Sequence, residues 1–139
     1  MPLALDSLIK SIDSLDRSLY VAHSNMDMLG VDMQETVRAG VIQNFEVAYE
    51  QCWKFIQRWI RENRTVEGAD HPRTRKELFR TAAASGLISD PVPWFAFGDA
   101  RNLSSHTYDG SQAALVYDAA KRFLPHAVEF LERLKERND

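Results

Sequence analysis

Cysteine is almost absent from this chain. A single thiol, Cys52, in 139 residues excludes an intrachain disulfide; this fits a reducing compartment, and at this length one hydrophobic core needs no covalent staple. Long apolar runs are missing as well. No window approaches the roughly 20 apolar residues of a membrane span, and charge enters at Asp6, too early for a signal peptide, so a soluble cytoplasmic protein with no membrane partner is expected. Glycine is scarce, with six residues, and Gly98 alone cannot make a phosphate-cradling loop. Net positive charge is also missing. A formal charge of −3 argues against bulk electrostatic capture of nucleic acid. Strand alternation, internal repeats, low-complexity tracts and long linkers are not found either, which leaves a single domain over residues 1–139.

What is present is helical periodicity. Leu5, Leu8, Ile12, Leu15 and Leu19 follow the three-and-four spacing of one helix face, and "SNMDMLGVDM" then breaks the pattern. From Gln34 to Glu62 a second stripe, Val37, Val41, Phe45, Ala48, Cys52, Ile56 and Trp59, predicts one long helix. "NRTVEGADHPR" is the clearest loop. Pro72 is placed to start the next helix, which stops at Gly86; Asp90 and Pro91 open another; and a last segment from Ser111 carries Pro125, expected to bend it. The expected fold class is all-α: an up-and-down antiparallel bundle of four to five helices.

Charge is unevenly spread. Residues 1–50 hold 8 acids and 3 bases, residues 51–80 hold 4 and 8, and residues 81–139 hold 8 and 6. The basic island (Lys54, Arg58, Arg61, Arg64, Arg73, Arg75, Lys76, Arg80) reads as a solvated surface, with a phosphate-binding patch as the alternative. The aromatics Phe45, Tyr49, Trp53, Phe55 and Trp59 are assigned to packing. His23, His71 and His126 each stand without a second ligand at metal spacing, so neither a metal nor a cofactor is expected. Cys52 reads as a buried thiol rather than a nucleophile.

One stretch does not fit a solvated face or a plain turn: "GDARNLSSHTYD", Gly98 to Asp109. On a helix, Asn102 and His106 share a face and Arg101 and Tyr108 share the adjacent one. The plain structural alternative is a helix end, with His106 capping carbonyls and Arg101 paired to Asp99 or Asp109. The chemistry also suits metal-free RNA cleavage. Imidazole can move a proton at the ribose 2′-OH or the leaving oxygen, guanidinium can hold the phosphorane charge, and Asn102 can orient either group. One chain offers one such histidine, so a symmetric homodimer completes the site most simply, with Trp94, Phe95 and Phe97 as candidate interface residues.

"RNLSSHTY" reads R-x4-H-x-Y, and on it the chain resembles the HEPN superfamily. More narrowly it resembles the nucleotidyltransferase substrate-binding proteins: "VIQNFEVAYEQCWKFIQ" is similar to that family's long second helix and "FRTAAASGLI" to its following helix. The resemblance implies a helical bundle that dimerises with two motifs facing each other. It implies a toxin, a metal-independent endoribonuclease acting on RNA through Arg101, Asn102 and His106. It further implies an antitoxin, a minimal nucleotidyltransferase partner that transfers AMP to Tyr108. The older family name implies an alternative, a non-catalytic substrate-binding subunit of a two-component nucleotidyltransferase. A bare helical scaffold is the third reading.

Overall fold

The computed structural model describes residues 2–64, 72, 74–107 and 109–139. Five helices follow in order: α1 (Asp6–Asn25), α2 (Val31–Asn63), α3 (Arg75–Ala84), α4 (Pro91–Leu103) and α5 (Gly110–Glu136), with short 3₁₀ turns at Met26–Met28 and Ser104–His106. No strand occurs among the described residues. The all-α bundle expected from periodicity is the fold.

Each helix buries the stripe its sequence announces. Leu8, Ile12 and Leu15 of α1 and Val41, Phe45, Ala48, Cys52 and Ile56 of α2 are buried, while Leu19, Val37 and Trp59 lie at the margin. Helix α2 starts three residues before the expected Gln34. That side chain instead ties the turn, its Nε2 donating to the carbonyls of Met26 and Leu29. Asn44 Nδ2 donates to Ser14 O, as an antiparallel α1–α2 hairpin requires. Helices α2 and α4 are antiparallel too, since Arg101 meets Glu46 while the earlier Gly98 meets the later Tyr49. Helices α2 and α5 run the same way: Phe45 packs on Phe123, and Trp59 Nε1 donates to Arg137 O. The result is an up-and-down order of α1, α2, α4 and α5, with α3 a short brace.

The helix ends follow local chemistry. The expectation that Pro72 opens α3 needs correction: the helix begins at Arg75, where Thr74 Oγ1 accepts from Glu77 N at 3.1 Å. A Thr-x-x-Glu signature supplies an acceptor for an orphan N–H, which proline cannot do, so the cap outranks the ring. Gly86 closes α3 with φ +80°, Leu87 N bonding Ala82 O and Gly86 N bonding Ala83 O, as its placement predicts. Asp90 and Asp109 cap α4 and α5 through Val92 N and Ser111 N. The two bonds from Ser111 hold the Asp109 carboxyl below its ordinary range. Pro125 lies inside α5 without ending it.

The core is aromatic. Trp94, Phe97 and Phe123 meet edge to face, with centroids 5.2–5.9 Å apart, and Phe45, Tyr49, Phe79 and Phe130 extend the cluster. Trp94 and Phe97 are almost fully buried, so neither is available to an interface; this corrects the sequence expectation. They lie on the α4 face that turns inward.

Gly98 has a packing reason. A Cβ there would lie 2.9 Å from the Tyr49 hydroxyl, whose ring is fully buried and cannot step aside. Gly98→Ala gains about 1 kcal/mol of helix propensity but costs about 1–3 kcal/mol in overpacking, so a net loss is expected in chemical denaturation. Tyr49→Phe removes the obstructing oxygen. The double variant should then be at least as stable as the parent, whereas a double variant that simply adds two losses would refute this packing.

Candidate functional site

The motif lies where α4 ends. Residues 91–103 are helical despite two prolines and a glycine, because Pro91 takes the first helical position, where its missing N–H costs nothing. Helix α4 then tightens into the Ser104–His106 turn and hands over to α5 through the Asp109 cap. Asn102 and His106 are exposed and Arg101 is half-buried. Tyr108 lies outside the described residues.

Arg101 is held from α2. Its Nη1 is 3.0 Å from Glu46 Oε2 and its Nε 3.4 Å from Glu50 Oε1. Nη1 also donates to Ser104 Oγ at 2.9 Å. That hydroxyl is 3.0 Å from Glu46 Oε2 and 2.6 Å from Arg101 O, so its single proton serves one of the two acceptors. Glu50 in turn faces Arg75 of α3 at 3.5 Å, and the Arg75 guanidinium lies over the rings of Tyr49 and Trp53. Two carboxylates and two guanidiniums thus alternate across α2, α3 and α4.

This arrangement corrects the local pairing of Arg101 with Asp99 or Asp109. Those carboxylates are exposed, and the half-buried Glu46 and Glu50 offer stronger, less screened partners. Sequence reasoning missed Glu46, Glu50 and Ser104. A signal existed: two acids four apart, each following a buried aromatic of the α2 stripe, have one helix face and an apolar surround in common.

Beside the motif a depression of about 450 Å³ is lined by Glu35, Arg38, Ile42, Thr107, Gly110 and Ala113, among others. Arg38 also lines a neighbouring cavity with His23, Tyr117 and Lys121. The remaining candidates stay out of the chemistry. Burial pushes the Cys52 thiol far above its ordinary range, so it carries no thiolate. Burial likewise raises the Tyr49 phenol, against the lowering effect of Arg75. His126 packs on Phe97, His23 lines the cavity named above, and His71 lies outside the described residues. Among the described residues no group of three His, Cys, Asp or Glu side chains is placed to hold a metal, and no helix is long and apolar enough to cross a membrane.

Comparison with known proteins decides the lineage. Residues 3–136 match the model of the family described as nucleotidyltransferase substrate binding protein like. The chain belongs to that family. A curated relative from Haemophilus influenzae, named probable ribonuclease HepT, is 37% identical over 112 residues, which is 81% of this chain and 77% of the relative. A solved Haemophilus influenzae structure, described as revealing the fold of a substrate binding domain of a nucleotidyltransferase, superposes with TM-score 0.86 at 33% identity and covers 95% of this chain and 99% of that one. Family membership accounts for the resemblance of the long second helix, the helix after it and the R-x4-H-x-Y stretch together.

The site geometry separates two motif residues by their structural burden. Arg101→Ala takes the cation from Glu46 and leaves Glu50 to Arg75 alone; with the pair nearly a third exposed, a loss of about 1 kcal/mol, or about 3 °C in melting temperature, is expected. His106→Ala alters an exposed side chain and should melt within about 2 °C of the parent. An Arg101→Ala variant that melts with the parent would show that these contacts contribute nothing to stability.

Proposed function

We propose that this family member is the toxin of a toxin–antitoxin pair, a cytoplasmic, metal-independent endoribonuclease. The observation that carries the reading is an exposed His106, on the turn that closes α4, following an anchored Arg101 in the last turn of that helix, beside an open depression. Arg101 is held ready to meet a phosphate, because Glu46 and Ser104 already anchor its guanidinium at Nη1. His106 moves the proton of the attacking 2′-OH or of the leaving 5′-oxygen. Asn102, at the end of α4 and also exposed, orients the phosphate. The name of the curated relative, probable ribonuclease HepT, supports the same chemistry.

Acid and base roles need two groups, and a symmetric homodimer brings a second His106. Val31, Met33 and Leu115 are large apolar side chains left exposed near the amino-terminal ends of α2 and α5, where the motif lies, and they replace Trp94 and Phe97 as interface candidates. A minimal nucleotidyltransferase acts as antitoxin by adding AMP to Tyr108, and the added phosphodiester charge competes with the RNA phosphate for the motif's cation. The second reading, a non-catalytic substrate-binding subunit, is favoured by the compensation of the Arg101 charge and by the description of the related structure.

Purified protein free of partner, in EDTA, is expected to cleave single-stranded RNA, and His106→Ala to lower the rate by about 10²- to 10⁴-fold with the fold intact. Wild type that leaves RNA untouched under those conditions refutes the ribonuclease and leaves the binding subunit. Incubation with the nucleotidyltransferase, ATP and magnesium should add AMP mass to the peptide containing Tyr108 and silence cleavage, and Tyr108→Phe should escape both. A phenylalanine variant silenced as fully as wild type would overturn the AMP mechanism.

A further inference from the structure

The basic island of residues 54–80 divides once its side chains are placed. Arg64 donates to Ser85, Arg75 pairs with Glu50, and Arg58 lies over Phe55. Arg73 lies outside the described residues. Lys76 and Arg80, one turn apart on α3, are exposed, and both are drawn to one ring: Lys76 Nζ is 5.7 Å and Arg80 Cζ 5.4 Å from the centroid of Phe95. Among the described residues neither meets a carboxylate within ion-pair distance. Two cations sharing one ring repel each other, and an anion set beside them would relieve that repulsion.

Phe95 also fixes where this cluster lies. Residues 95, 99 and 102 follow helical spacing along α4, so Phe95 lies on the same strip as Asn102, and His106 follows on the 3₁₀ turn that closes the helix. Eleven residues separate ring and imidazole, about 17 Å along the axis. The strip carries one exposed acid, Asp99, so a polyanion passing along it is directed to the α3 side, where the two cations stand. Half-buried Phe95 adds an aromatic edge to the charges, the combination that binds single-stranded nucleic acid without reading its sequence.

We propose that Lys76, Arg80 and Phe95 form a binding subsite for the sugar-phosphate backbone of single-stranded RNA, holding the flank of a strand whose cleaved phosphate lies at His106. The choice of RNA rests on the ribonuclease reading. The test measures binding rather than cleavage. Full-length His106→Ala protein in EDTA is titrated against a fluorescein-labelled 20-nucleotide RNA of mixed sequence by anisotropy at several salt concentrations. Adding Lys76→Ala and Arg80→Ala should weaken binding at least tenfold. It should also make the dependence of log Kd on log salt shallower by about 1.4, the value for two phosphate contacts on a single strand. Lys10→Ala with Arg17→Ala on α1, an equal loss of charge, should stay within twofold with an unchanged slope. Unchanged affinity and slope in the Lys76/Arg80 variant overturn the subsite, including the case in which that variant loses only its hold on the nucleotidyltransferase. So does a parent that binds no RNA. A wild type inert toward RNA whose binding still depends on these two residues would refute the ribonuclease reading and uphold the subsite.

Discussion

The contact between Arg101 and the two α2 carboxylates sets the motif in place. Helix α4 touches the core through Trp94, Phe97 and Ala100, a face that fixes its rotation, while Leu103 packs at the core margin and Arg101 and Ser104 add polar contacts where the helix ends. Glu46 holds the guanidinium at 3.0 Å, and Glu50 shares itself between Arg101 and Arg75. The same network therefore joins α2 to α3 and α4, and the turn that carries His106 starts at a residue it holds, Ser104. Each pair alone is a partly exposed ion pair of about 1 kcal/mol or less. As a linked set on rigid helices, the pairs supply position more than stability.

That arrangement has a chemical consequence. The motif arginine is charge-compensated in the resting chain, so the site does not act as a general trap for anions on an acidic protein. A phosphate engaging it meets a guanidinium already anchored in orientation by Glu46 and Ser104. Preorganisation of this kind favours charge that develops during a reaction over bulk electrostatic attraction, on a chain of net charge −3. On the proposed reading, affinity for a polyanion comes from elsewhere, and Lys76 and Arg80 of α3 meet no carboxylate among the described residues.

Much of this was legible in the sequence. Apolar periodicity located α1, α2 and α5 because each buries one stripe, and Asp90-Pro91 and Gly86 marked helix ends through chemistry confined to a few residues. The start of α3 was misread because a proline was weighed above the Thr74–Glu77 cap. Phe97 and Trp94 were given to an interface because periodicity tells which residues share a face but not whether a partner helix already covers it; α5 does so through Phe123 and Phe130. The role of Glu46 was hidden for a related reason. Fifty-five residues separate it from Arg101, and only the antiparallel placement of α2 and α4 brings the two together, so local pairing with Asp99 or Asp109 looked sufficient.

The claim that Glu46 grips Arg101 is tested most directly by a double-mutant cycle, Glu46→Ala and Arg101→Ala, read by chemical denaturation. A grip of the kind described predicts that the double variant loses less than the two single variants together, with a coupling of about 1 kcal/mol. Losses that add to within about 0.3 kcal/mol would contradict it and leave the motif arginine independent of α2.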